Sequence, residues 1–170
     1  MTKYVALLRA VNVGGTGKVP MAKLKVMCRE AGFTRVQTYI ASGNVVFESK
    51  ASSTRAKSNL ERRLRDYAGK PVGVVVRTAS EMQAILRANP FPKAAPNHTY
   101  AIFLDEPPPR DALKHATGAE DEQLQLGVRE IYVHYGGGMG RSKLKIPAAK
   151  SGTARNMNTV AKLADMVSKL

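Results

Sequence analysis

The amino-acid sequence predicts an α/β protein, more closely α+β, built from two ferredoxin-like βαββα(β) halves packed together. Three observations lead to this prediction. The first 88 residues alternate strand and helix patterns in the order β-α-β-β-α-β, which is the split βαβ unit. The residues after Pro96 repeat the order β-α-β-β-α. A chain of 170 residues, 44% of them hydrophobic, is long enough to bury such a core.

Residues 1–88 form the predicted N-terminal half. Tyr4–Arg9 is a short apolar strand, and Pro20 opens a helix that Gly32 ends. The remaining elements are strands Arg35–Ile40 and Asn44–Glu48, a helix over Thr54–Ala68, strand Val72–Arg77, and a helix capped by Ser80 that runs to about Ala88.

Residues 89–98, which begin with Asn89-Pro90-Phe91-Pro92, are a predicted linker, and residues 99–170 form the second half. Its elements are strand Thr99–Leu104, a helix over about Arg110–Thr117, strands Gln123–Leu126 and Glu130–Tyr135, and a basic segment Arg141–Lys150. The final helix is predicted to take its N-cap from Ser151-Gly152-Thr153 and to bury Val160, Leu163 and Val167.

The net charge of +14 is distributed unevenly along the chain. Residues 101–135 are acidic, with 7 acidic and 3 basic side chains, and the segments on both sides are basic. A positive field of this size attracts polyanions such as RNA or DNA in a salt-dependent way. A solvated basic surface without a partner explains the same numbers, so both interpretations stay open.

Several classes of protein are excluded by composition. No apolar run approaches the roughly 20 residues that span a bilayer, and Arg9 interrupts the N-terminal apolar run, so we expect a cytoplasmic protein that does not enter membranes. Cys28 is the single cysteine and fits a buried, inert thiol. Because the chain has only this cysteine and three scattered histidines, the sequence predicts no metal site, and it also predicts no cofactor.

The glycine-rich loop after the first strand does not meet the requirements of a nucleotide-binding motif. A P-loop needs a Ser or Thr where Val19 stands, and no G-x-G-x-x-G fingerprint fits. Gly14, Gly15 and Gly17 could still offer backbone N–H groups to an anion near Lys18. The alternative is a plain connection between strand and helix.

Three motifs together resemble one bacterial family. They are Leu8-Arg9-Ala10-Val11-Asn12-Val13-Gly14-Gly15, Thr38-Tyr39-Ile40-Ala41-Ser42-Gly43-Asn44-Val45-Val46-Phe47 and Gly152-Thr153-Ala154-Arg155-Asn156-Met157-Asn158-Thr159. The chain resembles the family catalogued as domain of unknown function 1697 over nearly its whole length. The resemblance implies a small cytoplasmic α/β protein, and it implies no activity.

The polar residues of these motifs and of the basic segment are candidate ligands for an anion. Arg155 and Asn156 are the most informative of them. In the first turn of a helix, the cation Arg155 opposes the helix dipole, and Asn156 is a poor helix former. A bound anion would explain both choices. An alternative is that Arg155 bonds an acidic residue or a carbonyl of the other half, and Ser42-Gly43-Asn44 has an ordinary explanation as a tight turn. The candidates are Arg9, Asn12, Ser42, Asn44, Arg141, Lys143, Thr153, Arg155 and Asn156.

Three functions remain open from the sequence. The favoured one is a module that binds nucleic acid or another polyanion, through a basic helix whose predicted backbone contacts are Arg55, Lys57, Arg62, Arg63 and Arg65. The second is a site for a small phosphorylated or carboxylated ligand, with catalytic residues and reaction unknown. The third is a protein-interaction module that uses the acidic stretch 105–130. A standard RRM is rejected, because Tyr4 and Phe47 are too few aromatics for its platform.

Overall fold

The structure, a computed structural model, describes residues 1–9 and 18–170. The chain divides into two compact units: Met1–Gln83 together with Leu163–Leu170, and Ala84–Lys162. The predicted linker at residues 89–98 lies within the second of these units. The glycine-rich loop and Asn12 lie outside the described residues.

The first unit contains a four-stranded antiparallel sheet with two helices between its strands. The strand order is β2-β3-β1-β4, which is the ferredoxin-like order predicted for the N-terminal half. Its elements are β1 (Thr2–Leu8), α1 (Met21–Glu30), β2 (Thr34–Tyr39), β3 (Asn44–Ser49), α2 (Ser53–Ala68) and β4 (Val74–Thr78). Helix α3 (Ala79–Arg87) follows β4 directly.

The core of this unit joins one face of the sheet to α1 and α2. The rings of Phe33 and Phe47 stack with their centroids 4.1 Å apart, and Tyr4 packs against Phe47. Leu24 of α1 and Leu60 of α2 are fully buried in the same cluster. Both aromatics considered for an RRM platform, Tyr4 and Phe47, are therefore core residues and unavailable to a base.

Local signals account for the helix ends in this unit. Ser52 caps α2 by accepting a hydrogen bond from the N–H of Arg55, and Gly69 ends that helix in the left-handed conformation. The prediction that Ser80 caps α3 was wrong. Thr78 and Glu81 form a capping box instead, in which each side chain accepts a hydrogen bond from the backbone N–H of the other residue.

The second unit repeats the strand order, as β6-β7-β5-β8, in a second antiparallel sheet. Its strands are β5 (Thr99–Phe103), β6 (Gln123–Leu126), β7 (Glu130–His134) and β8 (Thr153–Asn156). Its core gathers Ile102, Ile131 and Val133 of the sheet with Ile146 of the basic segment. Helix α4 (Met157–Ser168) starts in this unit, and the residues from Leu163 onward are grouped with the first unit.

Two predicted helices of the second half differ from the structure. The helix predicted over Arg110–Thr117 is only a short 3-10 helix at Ala112–His115, because a two-turn segment after three prolines cannot repay the cost of helix nucleation. The helix predicted to start at Thr153 starts at Met157. Thr153–Asn156 pairs with β5 as strand β8, and sheet pairing overrides the local preference.

Among the described residues, the helices are too short or too polar to cross a lipid bilayer.

Candidate functional site

The five cations predicted on α2 fall into two groups. Lys57 and Arg63 are held by acidic partners. The Nζ of Lys57 lies 2.8 Å from Oε1 of Glu61, and Arg63 donates to the backbone carbonyl of Glu30 at 2.9 Å with the Glu30 carboxylate 3.5 Å away. Lys57 is thus paired within α2, and Arg63 connects α2 to the end of α1.

The other three cations, Arg55, Arg62 and Arg65, are exposed and form no ion pair within residues 1–9 and 18–170. Spacings of seven and three residues place them along one side of the helix, over about 15 Å at a rise of about 1.5 Å per residue. We call this surface the arginine face. Asp66, one turn after Arg62, adds a single exposed carboxylate beside it.

A cleft of about 340 Å³ lies beside the arginine face. One wall is α2 and the other is the segment that leads into β4. The lining residues are Glu61, Arg62, Arg65, Pro71, Val72 and Gly73. The carboxylate of Glu61 is already engaged on both oxygens, since Oε1 pairs with Lys57 and Oε2 accepts the N–H of Val74 at 3.1 Å. Its negative charge is therefore balanced by the ammonium of Lys57 and stabilised by the N–H of Val74.

Arg9 lies next to Gly73, one of the residues that line this cleft. Its backbone N–H donates to the carbonyl of Gly73 at 2.9 Å. A Cβ built on Gly73 would lie 3.6 Å from both Cβ and Cδ of Arg9, so the aliphatic stem of the arginine packs over the glycine. Val72 and Val74, the neighbours of Gly73, are buried in the core with α2, so the Cβ direction of Gly73 lies on the opposite face of the sheet. Arg9 is therefore separated from Arg62 and Arg65 by the strand.

The turn at Ser42-Gly43-Asn44 lies at the same end of the sheet as Arg9. The N–H of Leu8 donates to the carbonyl of Gly43 at 2.8 Å, and Gly43 has a positive φ of 87° that favours glycine. Asn44 is fully buried, and its amide donates to the carbonyl of Tyr39 and to Oγ of Ser42. The interpretation as a tight turn is confirmed, and a ligand role for Ser42 and Asn44 stays a prediction.

Thr153, Arg155 and Asn156 belong to the second unit and have a different setting from the predicted one. Arg155 is buried in β8, where its guanidinium donates to Oγ1 of Thr153 at 2.7 Å and to the carbonyl of Ala154 at 2.9 Å. Burial lowers the pKa of Arg155 to about 10, so the side chain is still a cation at neutral pH. Asn156 caps α4 by accepting the N–H of Thr159. The prediction of a helix N-terminus at Thr153 that binds an anion was wrong, because the helix begins at Met157. A ligand role for Thr153, Arg155 and Asn156 stays a prediction.

Arg141 ends a short 3-10 helix (Met139–Arg141), and Lys143 lies on the extended segment that follows, whose side chains alternate. Arg141, Lys143 and Lys145 are exposed, whereas Leu144 and Ile146 turn inward. We call these three cations the basic ladder. Lys145 was missed as a candidate, although the alternation of basic and apolar residues from Lys143 to Ile146 would have indicated it.

Backbone contacts fix the basic ladder in place. Lys145 and Thr117 exchange two backbone hydrogen bonds, and a Cβ on Gly118 would overlap the carbonyl of Lys143. The hydroxyl of Ser142 donates to the Glu122 carboxylate at 2.7 Å, and this bond and the N–H of Glu120 lower the pKa of Glu122. The acidic stretch therefore has one carboxylate beside the ladder.

The described residues offer little to support catalysis. Residues 1–9 and 18–170 hold no group of three His, Cys, Asp or Glu side chains that could bind a metal ion. Cys28 lies in the core, and burial raises its pKa to about 12, as expected for an inert thiol. His134 bonds Oγ1 of Thr99 through Nδ1 at 3.1 Å, and its ring is tilted by 44° to that of Phe91, with the centroids 6.3 Å apart.

The fold and the exposed cations define a small α+β protein of two ferredoxin-like units with an arginine-lined surface. Residues 1–132 match the family model described as protein of unknown function, DUF1697, and the chain belongs to that family. The resemblance seen in the sequence is thereby confirmed, and the match contains the first two of the three motifs.

A solved structure has the same fold. The chain is 25% identical to the conserved bacterial protein SP0830 from Streptococcus pneumoniae, with a TM-score of 0.81, and the match covers 98% of each chain. No curated protein matches the chain.

Proposed function

We propose that this protein binds a polyanion, and that nucleic acid contacts it through the phosphate backbone. The observation that supports the proposal is the division of cations on α2. Arg55, Arg62 and Arg65 remain exposed without an ion pair in the described structure, while their basic neighbours are held by glutamates.

Arginine suits this task for a physical reason. Its planar guanidinium offers paired N–H donors that match phosphate oxygens, and it is less strongly hydrated than the ammonium of lysine. Binding then releases counterions from the nucleic acid, which supplies affinity without sequence preference. Tyr4 and Phe47 are buried and cannot stack on bases, so the proposed contacts are made to the phosphates.

The basic ladder of the second unit supplies a second set of contacts in this proposal. Arg141 ends a 3-10 helix at the start of the ladder, and Lys143 and Lys145 alternate with inward residues, so these two lysines are about 7 Å apart along the extended chain. That separation is comparable with the distance between neighbouring phosphates of one strand. A nucleic-acid partner also fits the cytoplasmic location expected from the sequence.

The test is a salt titration of fluorescence anisotropy with labelled single- and double-stranded RNA and DNA. Wild type is compared with the double variant Arg62→Ala/Arg65→Ala. The matched control is Lys23→Ala/Arg29→Ala, which removes the same charge from exposed positions on α1. We expect wild-type affinity to fall steeply with salt, and the α2 variant to flatten the log–log slope by about 1.5 units, at roughly 0.7–0.9 per cation.

Two results would contradict the proposal. The first is an affinity that ignores ionic strength, or no binding of any oligomer at low salt. The second is an equal loss in both double variants, because a general positive field would then explain the binding and the arginine face would contribute nothing of its own.

A further inference from the structure

The cleft beside α2 has features that a flat basic surface lacks. It is bounded by two walls, α2 and the segment that leads into β4, and it holds two of the three cations of the arginine face. We infer that the cleft lined by Arg62, Arg65 and Gly73 is a discrete site for one phosphate group, carried by a small phosphorylated compound or by the phosphorylated end of a nucleic acid. This inference deepens the proposed function, because it gives one phosphate a defined position on the arginine face.

The charge in the cleft favours an anion. Arg62 and Arg65 are three residues apart on α2, so their guanidinium groups line the same wall and can share one phosphate through several charge-assisted hydrogen bonds. Glu61, the acidic residue of the lining, is occupied by Lys57 and by the N–H of Val74.

The size of the cleft fits the same ligand. A volume of about 340 Å³ lies at the lower end of the range of about 300–1,000 Å³ found for small-molecule pockets. It accommodates a phosphate together with part of the group that the phosphate esterifies. Pro71 and Val72 supply apolar surface for that part, since they line the second wall.

The experiment measures binding of uridine 5′-monophosphate, uridine and inorganic phosphate by isothermal titration calorimetry. The variant is Arg62→Ala/Arg65→Ala. Arg55→Ala is the control on the same helix face but outside the cleft lining, and Lys23→Ala/Arg29→Ala removes the same charge from exposed positions on α1. Circular dichroism and thermal unfolding verify that each variant is folded. Anisotropy with end-phosphorylated and end-hydroxyl forms of one oligonucleotide identifies the source of the phosphate.

We expect the monophosphate and inorganic phosphate to bind wild type and uridine not to bind. The double arginine variant on α2 should weaken monophosphate binding by about tenfold or more, while each control changes it by about twofold or less. Tighter binding of the end-phosphorylated oligonucleotide assigns the site to a strand end, and equal binding of both forms together with monophosphate binding assigns it to a small compound.

Failure of this inference is distinguishable from failure of the proposed function. If oligonucleotides bind with a steep salt dependence and the monophosphate does not bind, the cleft is not a site and the proposed function stands. If the monophosphate binds and no oligonucleotide does, the cleft is a site and the proposed function is wrong. Monophosphate binding that Lys23→Ala/Arg29→Ala weakens as much as Arg62→Ala/Arg65→Ala also overturns the inference, because a general positive field would then explain it.

Discussion

At the scale of single residues, burial separates structural side chains from those that can meet a ligand. Asn44 is fully buried, and its amide holds the turn between β2 and β3 through Tyr39 and Ser42. Replacing it with alanine would leave the Tyr39 carbonyl without this donor in a buried setting. We expect Asn44→Ala to lower the free energy of unfolding by about 1–3 kcal/mol, measured by urea denaturation.

Ser42→Ala is the matched comparison for that prediction, because it removes a half-buried hydroxyl from the same turn. It should cost less stability than Asn44→Ala. If Asn44→Ala kept wild-type stability and lost affinity for an anion, the structural role would be wrong and Asn44 would be a ligand residue.

Cys28 provides a second prediction at this scale. Burial raises the pKa of its thiol to about 12, so at any pH well below that value the group stays protonated and is a poor nucleophile. The folded protein should therefore react very slowly with Ellman's reagent at neutral pH, and one thiol per chain should react once guanidinium chloride unfolds it. Rapid labelling of the folded protein would show that the helix face around Cys28 opens.

At the scale of elements, the segments that could be predicted are those in which local signals and packing agree. Helix α2 has a serine cap, a glycine end and apolar residues at the spacing of one buried face, and it was predicted to within one residue at each end. The start of α4 could not be found in this way. Arg155 and Asn156 look anomalous in a first helical turn, but the anomaly disappears once Arg155 lies in β8 and Asn156 is the cap.

The reason for that failure is long-range. Thr153–Asn156 has no alternation of apolar and polar residues, so the pattern that identifies a strand is missing from the sequence. Its pairing partner, β5, begins more than fifty residues earlier in the chain. The candidate site was limited in the same way, since nothing local connects Arg9 with Gly73, its neighbour across the sheet.

Gly152 tests the importance of that long-range pairing. A Cβ on Gly152 would come within 2.8 Å of the Phe103 carbonyl oxygen and of Cδ2 of Leu104, so a side chain would push β8 away from β5. Gly152→Ala should lower the free energy of unfolding by about 1–3 kcal/mol, as other overpacked substitutions do. Gly140→Ala is the control, because nothing lies within 4 Å of its Cβ position, and it should change stability by less than about 0.5 kcal/mol. Equal stability of both variants would contradict close packing of β8 on β5.

At the scale of the whole molecule, the sequence gives the net charge but does not show which of the charged side chains are available to a partner. The value of +14 includes cations that are buried, cations held by carboxylates and cations left exposed, and the sequence cannot separate these groups. Three of the five cations predicted on α2 are exposed without an ion pair in the described structure, and Lys145 is exposed beside the two predicted on the basic segment. These six cations form the arginine face in the first compact unit and the basic ladder in the second.

If both surfaces contact one nucleic acid, their contributions to the salt dependence should add. We expect the triple variant Arg141→Ala/Lys143→Ala/Lys145→Ala to lower the log–log slope of affinity against salt by about 2 units on a long single strand, at roughly 0.7 per cation. Combining it with Arg62→Ala/Arg65→Ala should lower the slope by the sum of the two effects. The matched control is Lys93→Ala/Arg110→Ala/Lys114→Ala, which removes three exposed cations from the same unit and should have a smaller effect. A slope that the ladder variant leaves at the wild-type value would confine binding to the arginine face.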